Sequence, residues 1–366
     1  MPRSEAPIGS VRARAYTIPT DEPEQDGTLD WDSTTLVVAA VEAGGYEGIG
    51  YTYAGRGTAG LIGGKLAKAL EGRDAFDIPG CVATMEREVR NMGRRGLAGT
   101  AISAVDVALW DLKAKLLDLP LVRLLGAARP HVPIYGSGGF TNYTDVRLAA
   151  QLGGWVAEDG CRWVKMKVGR DPRRDRQRVK AARAAIGDAG LFVDGNGAFA
   201  VKRAVAFADH VLQYDVRWFE EPVSSDDLDG LRLLRERVPA PIEVAAGEYV
   251  YVPTDALRML AAGCVDVLQS DVTRCGGVSG FLAVGQMAAA HQIDLSGHCA
   301  PSVHLHAACA VPRLRHLEWF HDHVRIEHML FDGAPTPKQG VITPDLSRPG
   351  LGIALKRADA ERYADD

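Results

Sequence analysis

Eight short apolar stretches, VPIYGSG, CRWVKMKV, GLFVDGN, VRWFEEP, PIEVAAGE, VDVLQSD, IDLSGH and LRHLEWF, follow one another between Val132 and Phe320. Amphipathic segments such as DRQRVKAARAAIGDAG and TDALRMLAAG lie between them. An apolar strand, a polar loop and a helix, recurring about every 20–30 residues, is the rhythm of parallel strands joined by helical crossovers, and eight such units close into a (β/α)8 barrel. From the second unit onward each strand runs into polar or ionisable residues: Lys165 and Lys167, Asp194 and Asn196, Glu220, Glu248, Asp271, His298 and Glu318. In a parallel barrel all these ends open onto one face, where such folds place their chemistry. Any one of them has an ordinary explanation as a helix cap or a satisfied buried group. Seven together point to a site.

The segment before the barrel has a different texture. TTLVVAAVEAGGYEGIGYTY alternates β-branched and aromatic residues around Gly44-Gly45 and predicts antiparallel pairing. In GTAISAVDVALWDLKAKLLDL, Ile102, Val105, Leu109, Leu112 and Leu116 recur at helical spacing, and Pro120 ends the run. The first third therefore reads as a small α+β domain. The chain of 366 residues has a formal charge of -5, which excludes a global basic field for nucleic acid or anionic membrane and leaves a small molecule as the expected partner. The N-terminus carries no signal-like apolar core and no segment is a candidate membrane span, so a cytoplasmic protein is expected. Six scattered cysteines without a C-x-x-C pair predict reduced thiols, with Cys299 and Cys309 as packing residues. RCGGVSG reads as a structural turn, and RDPRRDRQRVKAAR, with acids and bases interspersed, as a solvated helix start.

Asp194, Glu220 and Glu248 stand on three successive strands and should meet. Three carboxylates at close quarters need neutralisation, and an all-oxygen donor set suits a hard divalent ion such as Mg²⁺. Lys165 and Lys167, two apart on one strand, share a face, and a like charge beside a metal predicts a lowered lysine pKa. Asp271 and His298 are expected to pair, the carboxylate fixing the imidazole tautomer. SGHCAPSVHLHAAC also raises a zinc-dependent hydrolase, built on His298, His304 and His306 with His321 and His323, although the first strand lacks the paired histidines such barrels use. A non-catalytic scaffold is a further alternative.

The ordered set WVKMKVG, FVDGNGAF, WFEEP, AAGE, QSDVTRCGG, SGH and HLEW resembles the enolase superfamily, specifically its mandelate racemase subgroup, and AISAVDVALWDLKAKLLDLPLVRLLG resembles the helix leading from that family's capping domain into its barrel. The resemblance implies a capping domain at 1–130, a barrel at 131–332 and a C-terminal segment, 333–366, returning to the cap. It implies Asp194, Glu220 and Glu248 as Mg²⁺ ligands, Lys167 as base and Lys165 as its tuning partner. His298 with Asp271 would be the dyad on the other face, a protonated Glu318 the donor to an enediolate, and Ser137 a carboxylate contact. The implied chemistry is metal-stabilised abstraction of the proton α to a carboxylate. Dehydration of an acid sugar to a 2-keto-3-deoxy acid is the main expectation, and a racemase or epimerase using the same Lys/His pair the alternative. Specificity would come from cap loops near Trp31 and Arg56, with Asn196 also facing the substrate, and a homo-oligomer is expected.

Overall fold

The computed structural model describes residues 5–365. Strands β1 (Ile8–Gln25), β2 (Asp30–Ala43) and β3 (Tyr46–Tyr53) form an antiparallel meander in register Tyr16↔Leu36 and Val38↔Tyr51. The helix Leu97–Leu116 packs on this sheet and is buried along most of its length. Its Asp111 accepts from the Ile49 amide at 2.8 Å and the Leu351 amide at 2.7 Å, so one buried carboxylate ties helix, sheet and C-terminal segment together.

The barrel strands are β4 (Val132–Gly138), β5 (Trp163–Lys167), β6 (Gly190–Asp194), β7 (Val216–Glu220), β8 (Glu243–Ala246), β9 (Val267–Ser270), β10 (Asp294–Gly297) and β11 (Leu314–Phe320). All pair in parallel, and β11 returns to β4 through Leu317↔Ile134 to Phe320↔Ser137, which closes the ring. Side chains alternate across each strand. Tyr135, Phe192, Trp218, Ala245 and Val267 therefore pack as an apolar layer inside the barrel, below the polar residues at the strand ends. Burial of each large member contributes roughly 1.5–3 kcal/mol. That layer is a rigid floor for the site above it.

The C-terminal segment first lays β12 (Phe331–Asp332) against β14 (Ala354–Leu355) and β13 (Val341–Ile342) against β4. It then reaches the cap, where Tyr16 bridges Ala364 and Arg14 pairs with Glu361 at 2.7 Å.

The stretch read as a cap loop, TDEPEQDGTLDWD, is mostly strand: β1 runs to Gln25 and β2 begins at Asp30. Only a four-residue turn separates them, closed by Asp26, whose carboxylate accepts from the Thr28 and Leu29 amides at 2.6 and 2.7 Å. The sequence hides this because a register shift between Pro19 and Glu24 breaks the alternation. The hairpin tip sits on the barrel mouth. A Cβ on Gly27 would lie 2.6 Å from the Gly195 carbonyl and 2.7 Å from that of Val168, and Trp31 meets Phe140 edge-on at 5.6 Å.

Candidate active site

Asp194 and Glu220 are the last residues of β6 and β7, and Glu248 follows β8 after Gly247, whose φ of 137° is closed to L side chains. That turn swings Glu248 over the barrel. The three carboxylates offer oxygens that all lie within 4.8 Å of one another, and all three residues are buried. Glu248 Oε2 has no hydrogen-bond partner. A buried, unpartnered carboxylate oxygen facing two more carboxylates fits a hard divalent cation and is costly otherwise.

The lysines enter from β5. Lys167 Nζ donates to Asp194 Oδ2 at 2.6 Å. Lys165 is wholly buried, hydrogen-bonded to Glu220 Oε1 and paired with Glu318 Oε1 at 2.8 Å and Asp194 Oδ2 at 3.3 Å. Burial lowers the Lys167 pKa, but Asp194 together with Glu318 and Glu220 outweighs it and raises it. The fold gives each lysine its own carboxylate, and these contacts favour the ammonium form until a cation takes up the same oxygens. Burial likewise would raise Asp194, yet the two lysines bring it down to about 2.

Glu318 would be raised by burial, but Lys165 and His298 hold it well below the usual range. Glu220, buried beside Asp194, is pushed up to about 8. In this arrangement Glu318 accepts from its neighbours. Its Oε1 accepts from Ser137 Oγ at 2.6 Å and its Oε2 from the Cys299 amide at 3.1 Å. Ser137 is itself fully buried, and its hydroxyl engages Glu318.

On the far side of the triad, His298 Nδ1 lies 2.8 Å from Asp271 Oδ2. A carboxylate only accepts, so Nδ1 carries the hydrogen and Nε2 is left to exchange protons. Nε2 sits 3.5 Å from Glu248 Oε2 and 3.6 Å from Glu318 Oε2. Burial disfavours the imidazolium, yet Glu248 and Glu318 together raise the His298 pKa. Asp271 is fixed in turn by the amide and hydroxyl of Thr273, both at 2.7 Å.

Two neighbours were missed. Arg274 spans Glu248 Oε1 at 3.4 Å and Asp271 Oδ2 at 3.5 Å; its signal was the i+3 spacing from Asp271 in QSDVTR. Glu221, buried with one oxygen unpartnered and φ of 33°, was the second acid of WFEEP. Asn196, with φ of 44°, donates its amide to Asp194 Oδ1 at 2.9 Å and keeps a buried, unpartnered Oδ1. Arg56 is not brought to this cluster: it is exposed before the helix Gly57–Leu61, and among the described residues no hydrogen bond or ion pair joins it to the strand ends.

The histidine cluster imagined for zinc does not form either. His304 Nε2 accepts from the Val272 amide at 2.9 Å and its Nδ1 lies 3.1 Å from the Ala300 carbonyl. His306 is held between the Val122 amide and the Leu351 carbonyl. His323 stacks on Tyr53 and His321 pairs with Asp21 at 3.0 Å. Both ring nitrogens of His304 and of His306 are already committed to the backbone.

Two family models match the chain: the mandelate racemase/muconate lactonizing enzyme N-terminal domain over residues 12–126, and the enolase C-terminal domain-like family over 147–360. Among curated relatives, the 3,6-anhydro-alpha-L-galactonate cycloisomerase of Streptomyces coelicolor is 33% identical over 95% of this chain and 97% of its own length. The L-talarate/galactarate dehydratase of Salmonella typhimurium is 33% identical over 81% of this chain and 77% of its own. Among solved structures, a mandelate racemase/muconate lactonizing enzyme-like protein from Rubrobacter xylanophilus superposes with a TM-score of 0.96 at 50% identity, covering 98% of this chain and 100% of that one. A racemase from Streptomyces coelicolor with bound magnesium gives 0.92 at 32% identity, covering 98% and 100%. With both of its domains matched, this chain belongs to the mandelate racemase/muconate lactonizing enzyme family of the enolase superfamily.

Proposed function

We propose that the protein abstracts the proton α to the carboxylate of a small acid sugar and carries the reaction on to dehydration, giving a 2-keto-3-deoxy acid. The observation that carries this reading is the carboxylate triad flanked by Lys167 on Asp194 at one end and by the His298–Asp271 pair beside Glu248 at the other. Asp194, Glu220 and Glu248 hold Mg²⁺, which when bound supplies positive charge against the negative charge that develops on the substrate carboxylate as its α-proton leaves. A magnesium-bearing racemase of the same fold and a dehydratase among the relatives support this assignment.

Lys167 Nζ is the base and must give up the proton that Asp194 now favours on it. Lys165, locked between Glu220 and Glu318, provides a donor to the developing oxyanion beside Glu318. His298 Nε2, kept protonated by Glu248 and Glu318, delivers a proton to the departing β-hydroxyl. Ser137 and the Cys299 amide keep Glu318 facing this pole. The hairpin tip around Gly27 and Trp31 excludes water and meets the distal end of the substrate.

A screen of acid sugars with Mg²⁺ in D2O, following both 2-keto product and deuterium at the α-carbon, tests the proposal. Product formation supports dehydration; deuterium incorporation without product moves the assignment to a racemase, epimerase or cycloisomerase; neither signal with any acid sugar removes the reading. We also propose a cytoplasmic homo-oligomer. Six free, buried cysteines suit a reducing compartment, and exposed Met92, Leu97 and Tyr249 offer apolar surface to a second copy. No helix among the described residues is long and apolar enough to cross a membrane.

A further inference from the structure

We propose that His298, Cys299 and Glu318 form a second cation site, separate from the carboxylate triad, which takes a borderline or soft divalent ion such as Zn²⁺ and closes the histidine side of the reaction. Cys299 Sγ lies 3.4 Å from His298 Nε2 and 3.3 Å from Glu318 Oε2, and Nε2 and Oε2 are 3.6 Å apart. Zinc bonds of about 2.0–2.3 Å in a tetrahedron place neighbouring donors about 3.3–3.7 Å from one another. The three donors already sit at those separations, and all three residues are buried.

The remaining atoms of each group are engaged so as to turn these donors toward one another, with Oε2 also accepting the Cys299 amide at 3.1 Å. His298 Nδ1 is bound to Asp271, the carboxylate–histidine arrangement that orients imidazole ligands toward metals. Glu318 Oε1 is taken by Ser137 and Lys165, leaving Oε2 toward Nε2 and Sγ. Cys299 and Ala300 both hold left-handed backbone conformations, φ 53° and 42°, and neither is glycine. Such positions cost about 1–3 kcal/mol each and persist only where surroundings enforce them. Here the bend accompanies an inward thiol and a Cys299 amide on Glu318 Oε2.

The two sites select different ions by donor chemistry. Three oxygens favour Mg²⁺, whereas one sulfur, one nitrogen and one oxygen with a fourth position open favour Zn²⁺. Glu248 Oε2 is 3.5 Å from Nε2, so the two ions would be close neighbours, as in two-metal sites. On binding, the Cys299 thiol releases its proton to solvent and the thiolate bonds the ion, while the Nε2 lone pair becomes a metal ligand. His298 can then neither hold nor deliver a proton. The inhibitory consequence rests on the role proposed for His298; the binding does not.

The Mg²⁺-saturated protein is titrated with Co²⁺ and then Zn²⁺. We expect a thiolate-to-cobalt charge-transfer band that saturates at one equivalent and is displaced by Zn²⁺. Formation of the 2-keto product should fall in step while bound Mg²⁺ stays constant. In Cys299→Ser and Cys299→Ala the band should vanish and the Zn²⁺ needed for inhibition rise at least about a hundredfold. Absence of the band in the wild type, unchanged zinc sensitivity in both variants, or Mg²⁺ release in step with zinc uptake would each overturn the site. Should neither variant fold, the wild-type band and Mg²⁺ content decide. A band with undiminished product formation overturns the inhibitory half; a protein that forms no product before zinc is added instead refutes the proposed function, and the band still tests the site.

Discussion

The two ends of the candidate site hold their protons by different means. Lys167 is bonded to Asp194, a member of the triad itself, so its protonation is tied to whatever occupies those oxygens. His298 is held through its other nitrogen by Asp271, which is anchored by Thr273 and Arg274 and lies outside the triad. The hydrogen bond of the lysine is therefore tied to the cation site, whereas the orientation of the histidine is set outside it, with only the charge on Nε2 sensing Glu248. This separation suits a reaction in which the first proton should leave only when charge stabilisation is in place.

The largest effects should come from removing either end. Lys167→Ala and His298→Asn should each lower turnover by about 10²–10⁴-fold with far-ultraviolet dichroism unchanged. They should differ in one respect: His298→Asn keeps deuterium exchange at the α-carbon, and Lys167→Ala loses it. Loss of exchange in both, or in neither, would collapse the distinction. Chelation of Mg²⁺ should next abolish exchange entirely while leaving the downfield NMR signal of the His298 Nδ1 proton in place; disappearance of that signal would show that the histidine end also depends on the cation.

A smaller effect is expected on the pH profile. Dehydration needs His298 protonated; Glu248 and Glu318 raise its pKa, and activity is lost as pH rises through the folded-state value. A hydrogen bond to a charged group contributes about 1.5–3 kcal/mol. Asp271→Asn should therefore move the alkaline limb of kcat down by roughly one to two pH units. The same sign governs stability: a raised imidazole stabilises the fold below its unfolded value and loses that contribution as pH rises through the folded one. A limb that stays in place would assign it to another group. The smallest effects belong to the cap. Trp31→Ala, which removes the contact with Phe140, should raise KM about tenfold with little change in kcat, and Arg56→Ala should change either by less than about twofold. A larger effect of Arg56 would restore it to the substrate's distal end.

Most of the barrel was legible because its signal is local. Each strand announces itself by a few apolar residues, and its end by a polar one, so Lys165, Lys167, Asp194, Glu220, Glu248, Asp271, His298 and Glu318 could be found one strand at a time. Closure of the ring then brings them together as a consequence of parallel order. Arg274 was less visible because it belongs to a loop, and its role exists only through two partners on different strands. The hairpin tip was misread as a loop because a bulge hides the strand period.

What the sequence determined by itself is the inventory: the period that makes a barrel, the residue types on its mouth, and the family motifs that order them. Tertiary structure decided how charge is shared among them. Which carboxylate each lysine meets, that Ser137 engages Glu318, and which of the clustered histidines is free all depend on distances of about 3 Å between residues far apart in the chain. Coulomb energies and hydrogen bonds change steeply over that range, and residue spacing carries no information about it.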